Sequence, residues 1–205
     1  IVESTSLQMK VDSALTTASF GGFNYDPDEE ALVAEYTGKD YHVEAKEVKL
    51  AGLNANEVTY KVADGEWINA GEYEITVEGK NSYAGETATI PVKILPRALN
   101  TDGDKLETNI KVEASQGLST AGGTGDLIVK VTDETLTDED GAVLNEVVTL
   151  EEGKDYTYVT KTENDKTDVV ITGIGNYTTA ISKDVATYTQ EVVVDEKRIN
   201  IADSS

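Results

Sequence analysis

The chain has 205 residues, no cysteine, and 39 acidic against 17 basic residues, for a net charge of -22. That balance excludes a nucleic-acid surface and docking on anionic lipid, both of which need basic side chains. The missing thiols exclude disulfides, zinc–thiolate sites and thiol catalysis. No apolar run nears the ~20 residues of a membrane helix, so no membrane insertion is expected.

Hydrophobic content is 39%, and apolar residues alternate with Thr, Glu and Lys, the pattern of half-buried strands rather than of disorder. The sequence opens on Ile1 with no signal-peptide pattern and reads as a piece of a longer precursor, with residues 1–5 flexible. Leu7, Met9 and Val11 alternate with polar residues, which predicts an opening strand. Residues 18–30, with Gly21-Gly22 and Asp26-Pro27-Asp28, read as a loop. Strands are predicted from Ala31 to Tyr36 and from Tyr41 to Lys49, around a turn at Thr37-Gly38-Lys39-Asp40. Val58, Tyr60 and Val62 share a strand face, and Asp64-Gly65 reads as a hairpin turn. Tyr73, Ile75 and Val77 share a second face, and Ala88, Ile90, Val92 and Ile94 a third. Pro91 is expected at an edge or a bulge, because it cannot donate to a ladder. Residues 94–100 read as a short linker around Pro96.

Beyond it, Ile110, Val112 and Ala114 restart the alternation, and Leu127, Val129 and Val131 continue it after a glycine-rich loop at 119–125. Residues 132–146 read as an acidic loop. Strands follow at 147–150, 156–160, 169–172 and 185–188. Val192 to Val194 lead into Lys197-Arg198-Ile199-Asn200, an echo of Arg97-Ala98-Leu99-Asn100. No segment holds a helical apolar period over three turns.

One phrase occurs twice. Gly79-Lys80-Asn81-Ser82-Tyr83-Ala84-Gly85 and Gly173-Ile174-Gly175-Asn176-Tyr177-Thr178-Thr179 each end an alternating apolar run, and their first glycines and tyrosines are both 94 residues apart. A period of that length is too long for a solenoid and suits a small β-sandwich. The expectation is an all-β chain of two tandem modules, 1–96 and 97–199, with a tail at 200–205.

Chemistry-bearing motifs are few. His42 is the lone histidine and sits in a predicted strand without a partner for proton transfer. No nucleophile elbow, zinc helix or Walker loop occurs, so the chain is expected not to be an enzyme. Calcium takes hard oxygen ligands, and two clusters supply them by composition: Asn100, Asp102 and Asp104, and Asp133, Asp138, Glu139 and Asp140. Either cluster reads equally as a solvated acidic loop. Lys111 with Asn200 is a candidate pair for an intramolecular isopeptide bond. Trp67, placed near a hairpin, would be a flat platform for a sugar face if exposed, with Tyr60 and Tyr73 as neighbours on adjacent strands, or a core residue if folded in.

The segment Leu150-Glu151-Glu152-Gly153-Lys154-Asp155-Tyr156-Thr157-Tyr158, followed by Gly173-Ile174-Gly175-Asn176-Tyr177-Thr178, resembles the bacterial Ig-like repeats of secreted and wall-attached proteins of Gram-positive-type bacteria. The first module is similar through Tyr36-Thr37-Gly38-Lys39, Asn69-Ala70-Gly71-Glu72-Tyr73 and the turn from Gly79. Ser82 and Thr179 stand where that family commonly has Asn and Gly. The resemblance implies two tandem immunoglobulin-like β-sandwich modules at the bacterial cell surface or secreted. Their expected role is that of spacer or adhesin segment, with neighbouring modules of the parent chain and an extracellular glycan or protein as partners. The alternative is a carbohydrate-binding accessory module of a secreted enzyme. Tyr83 and Tyr177 are expected to act as corner tyrosines, each hydroxyl bonded to backbone.

Overall fold

The computed structural model describes residues 5–102, 105–119, 122–134, 147–179 and 187–200, without the side chains of Asp102 and Asn200. The protein is mostly β, with 54% of the described residues in strands and 9% helical, and it divides into two compact units, Ile1–Pro96 and Arg97–Ser205.

The first unit opens on a helix, α1 (Leu7–Leu15), where alternation predicted a strand. The Ser6 hydroxyl accepts from the Met9 N–H at 3.3 Å and caps it. Leu7, Val11, Ala14 and Leu15 are buried at helical spacing, whereas Met9, the middle of the expected strand face, is 61% exposed. The presumed loop at 18–30 holds a hairpin of β1 (Ser19–Phe20) and β2 (Phe23–Asp26). Its turn is Gly21-Gly22, both with positive φ, as the two-residue hairpin turn requires. Next come β3 (Ala31–Glu35), β4 (Val58–Val62), β5 (Gly71–Gly79) and β6 (Thr87–Leu95). Together they form one six-stranded sheet in the order β1-β2-β3-β6-β5-β4, antiparallel except for the β3–β6 pair. No strand forms at 41–49, which holds only a 3-10 turn at Ala45–Glu47. The Asp64-Gly65 turn lies inside a longer connection between β4 and β5.

Pro91 sits in β6, an interior strand and not an edge. The helix explains how. The Gln8 side-chain amide donates to the Thr89 carbonyl at 3.2 Å and accepts from its N–H at 3.0 Å. Thr89 therefore turns both peptide groups away from β5. Peptide directions repeat every second residue in a strand, so Pro91 does the same and its missing N–H costs the β5 ladder nothing. On the other flank β3 pairs only from Val92 onward.

In the second unit the expected linker at 94–100 is largely strand: β6 runs to Leu95, and β7 (Arg97–Ala98) and β8 (Asn100–Asp102) follow. β8 pairs with β9 (Lys105–Leu106). A four-stranded sheet has the order β12-β11-β10-β17, from β10 (Ile110–Ser119), β11 (Thr124–Asp133), β12 (Val148–Thr149) and β17 (Val193–Asn200). A three-stranded sheet has the order β13-β14-β16, from β13 (Tyr156–Glu163), β14 (Lys166–Gly173) and β16 (Tyr188–Glu191). β15 (Tyr177–Thr178) pairs in parallel with β7. The Tyr156 hydroxyl of the smaller sheet donates to the Val129 carbonyl of the larger at 3.4 Å.

Candidate functional site

The repeated turn is the feature the two units share. In each, a glycine ends the second strand of a hairpin, at Gly79 of β5 and Gly173 of β14. A Cβ at Gly79 would collide with the Tyr83 carbonyl, and one at Gly173 would lie 2.6 Å from the Thr178 backbone. The third residue is left-handed in both, Asn81 at φ 49° and Gly175 at φ 63°. The tyrosine N–H closes the turn on the carbonyl three residues back, Tyr83 on Lys80 at 3.0 Å and Tyr177 on Ile174 at 3.1 Å.

The tyrosines then differ. Tyr83 is half-buried against the first unit's core. Tyr177 is buried, and its hydroxyl donates at 3.1 Å to the Asp133 carboxylate rather than to backbone. The same carboxylate oxygen takes the Arg97 guanidinium Nε at 2.8 Å, with the Asp133 side chain fully buried and that of Arg97 11% exposed. Asp133 is therefore a buried counter-ion and not the calcium ligand its sequence context suggested. Asn100, also named for calcium, is 0% exposed in β8. Asp104, Asp138 and Asp140, and the side chain of Asp102, lie outside the described residues. Among the described residues no group of three or more His, Asp or Glu side chains converges as metal ligands would. Lys111 is exposed and pairs with Glu134 at 3.2 Å, whereas an isopeptide bond needs a buried lysine.

Trp67 is 4% exposed and is no surface platform. The connection that carries it folds over the sheet because Asp40 gathers it in: Asp40 Oδ1 accepts from the Trp67 N–H at 2.7 Å and from the His42 N–H at 2.9 Å. The Tyr41 N–H donates to the Trp67 carbonyl at 3.0 Å. The indole meets three rings edge-on or tilted, Tyr73 at 5.1 Å, His42 at 5.4 Å and Phe23 at 6.2 Å between centroids. The His42 imidazole, expected on a surface strand, bonds through Nε2 with the Ala63 carbonyl at 3.1 Å.

Of the three predicted aromatics, the fold brings Trp67 and Tyr73 together. Tyr60 packs separately against the core, its hydroxyl buried near the Leu50 backbone but without a well-formed hydrogen bond. Burial raises the pKa of Tyr60, and burial together with the Asp40 charge raises that of Tyr73. Tyr73 reaches a concave surface, a groove of about 340 Å³ lined also by Glu72, Glu74, Pro91 and Lys93. The Lys93 ammonium there is held by Glu29 at 3.0 Å and faces Glu72 at 3.8 Å. Sequence reasoning missed Asp40, Arg97 and Lys93. Arg97 left a signal, as the head of the echoed tetrapeptide.

Among the described residues no helix is long and apolar enough to cross a membrane. Comparison with protein-family models, with curated proteins and with solved structures gave no match.

Proposed function

We propose that this chain is a tandem pair of immunoglobulin-like β-sandwich modules of a bacterial surface or secreted protein, acting as a non-catalytic spacer or adhesin segment. The observation that carries the reading is the turn built twice with one backbone geometry, each time after a hairpin and before a strand that pairs with that hairpin. Repetition of a self-contained β unit is how extended surface proteins gain length. The dense negative charge suits an exposed location and resists association between neighbouring molecules. The polar groups that would have been candidates for chemistry hold structure together, His42 on a backbone carbonyl and Asp133 on Arg97.

The test combines two measurements. Pulled by its ends, a spacer unfolds in two separate steps and refolds between pulls. Immobilised, an adhesin segment captures one member of an array of glycans and matrix proteins, in calcium or in chelator. Turnover of any glycan on that array would sink the non-catalytic reading. The second reading, a carbohydrate-binding accessory module, is favoured by the groove at Tyr73. It predicts a saturable glycan lost on Tyr73→Ala.

A further inference from the structure

The connection between β4 and β5 carries a reactive backbone dipeptide, Asp64-Gly65. The sequence holds Asp-Gly at 64, 102 and 140 and no Asn-Gly. Of the three, Asp64-Gly65 lies wholly within the described residues. In such a pair the backbone nitrogen of the second residue can close on the side-chain carboxyl of the first, since glycine has no side chain to hinder the approach. The fold must leave that N–H unbonded, the carboxyl free to swing, and the space around them open.

The first unit has five aspartates, and the chain denies four of them a free nitrogen. Asp12 precedes Ser13, whose N–H is bonded inside α1. Asp26 precedes Pro27, which has no N–H. Asp28 precedes Glu29, whose N–H donates to Asp26 Oδ1 at 3.3 Å. Asp40 precedes Tyr41, whose N–H donates to the Trp67 carbonyl at 3.0 Å, and Asp40 Oδ1 already holds the Trp67 and His42 N–H groups. Asp64 is the exception. Among the described residues neither its carboxylate nor the Gly65 N–H has a hydrogen-bond or ion-pair partner. Residues 63–66 are all exposed. Gly65 has a φ of 128°, and beyond its chain neighbours no heavy atom lies within 4 Å of where a Cβ would be.

We infer that Asp64 is a site of spontaneous backbone rearrangement in the folded protein, passing through a succinimide to isoaspartate without loss of the fold. The Gly65 nitrogen bonds to Asp64 Cγ and a Cγ–O bond breaks. The oxygen leaves as water, taking the hydrogen of that nitrogen and a proton from solvent. Water then reopens the ring. Attack at Cγ restores aspartate. Attack at the Asp64 main-chain carbonyl breaks its bond to the Gly65 nitrogen and leaves the chain running through Cγ. The main chain gains one carbon, and the charge is unchanged because the freed main-chain carboxylate replaces that of the side chain. The added carbon falls between two anchors. The Ala63 carbonyl is bonded with His42 Nε2 at 3.1 Å, and Trp67 is held by Asp40 and Tyr41. The exposed residues between them bow outward, and Trp67 stays buried.

The experiment incubates the 205-residue chain at neutral pH without denaturant, beside a synthetic peptide of residues 62–80, the tryptic fragment that carries Asp64. The fragment should split into two isomers of equal mass, the new one with isoaspartate at 64, as fast in the folded chain as in the peptide. Deamidation of Asn69, in the same fragment, would change the mass and is told apart by it. Asp64→Glu, whose ring would be one atom larger, should lose the new isomer and keep the Trp67 fluorescence of the parent. That fluorescence should also hold steady as the isomer accumulates in the parent. Formation of the isomer in the peptide but not in the folded chain would overturn the inference, by showing that the fold protects the dipeptide. Its absence from both would overturn it as well, and so would a Trp67 emission that shifts in step with the isomer.

Discussion

Tyr83 and Tyr177 leave the same turn and finish in different chemistry. In the first unit the residues beyond the turn meet a helix end: Glu86 accepts from the Leu7 N–H at 2.7 Å, at the N-terminus of α1. In the second they meet a strand. The Arg97 N–H donates to the Asn176 carbonyl at 2.9 Å and the Leu99 N–H to that of Thr178 at 2.7 Å, with the buried Arg97–Asp133–Tyr177 group behind them. The turn is a local object, fixed by one crowded glycine and one left-handed residue. What seals it is supplied by whichever element opens the unit, and either a helix dipole with a carboxylate or a paired strand with a guanidinium will serve.

The largest break in that comparison is Asp133→Ala. It strands Arg97 as a buried charge and should cost the second unit about 3–5 kcal/mol. Trp67, the one tryptophan, lies in the first unit, so urea unfolding followed by tryptophan fluorescence should not move while the circular-dichroism curve shifts. Equal shifts in both signals would mean the units do not unfold separately. Gly79→Ala and Gly173→Ala test the shared part: each should destabilise its own unit by about 1–3 kcal/mol through overpacking, and a neutral result at either position would show that the two turns are not alike.

Alkaline pH sharpens the contrast. Burial raises the pKa of Tyr60 and Tyr73 in the first unit and of Tyr156 in the second above the ordinary 10.0. The native state then holds these protons more tightly than the unfolded chain does. That stability is complete below pH 10 and is lost as pH climbs through the native values. Phenolate absorbance should therefore lag in the native protein, and the fluorescence-detected unit should lose stability as pH climbs above 10. The smallest effect is Glu86→Gln, which weakens the helix seal by about 0.3–1 kcal/mol and should shift the fluorescence curve, unlike Asp133→Ala.

The strands from Val58 onward were legible because their apolar residues alternate on one buried face, Ile75 and Val77 and then Ala88, Ile90, Val92 and Ile94. The N-terminal helix was not, because Leu7, Met9 and Val11 fit a two-residue period as well as Leu7, Val11, Ala14 and Leu15 fit a helical one. The Ser6 cap and burial decide between them. Tyr41 and Val43 also alternate, yet Asp40 occupies the His42 N–H that a ladder would need. The tetrapeptide Gly-Lys-Asp-Tyr makes this plain. At 153–156 it leads into β13, and at 38–41 into irregular chain, with Gly38 and Gly153 left-handed alike at φ 79° and 82°. From that tyrosine to the turn glycine there are 38 residues in the first unit and 17 in the second, and the longer stretch carries His42 and Trp67. The burial of Trp67 depends on where this added chain returns to the sheet, a long-range outcome that no local pattern encodes. The Arg97–Asp133 pair was hidden for the same reason, being 36 residues apart in sequence.

Gln8 fills the gap in β6 that β3 does not reach, offering one donor and one acceptor in the places a neighbouring strand would. That gives one amide an outsized part in how the protein ages. Hydrolysis of Gln8 to glutamate would remove the donor and set a carboxylate against the Thr89 carbonyl. The flank would then be open to a strand from another molecule, and Gln8→Glu protein should scatter more light with time in solution than the unaltered chain.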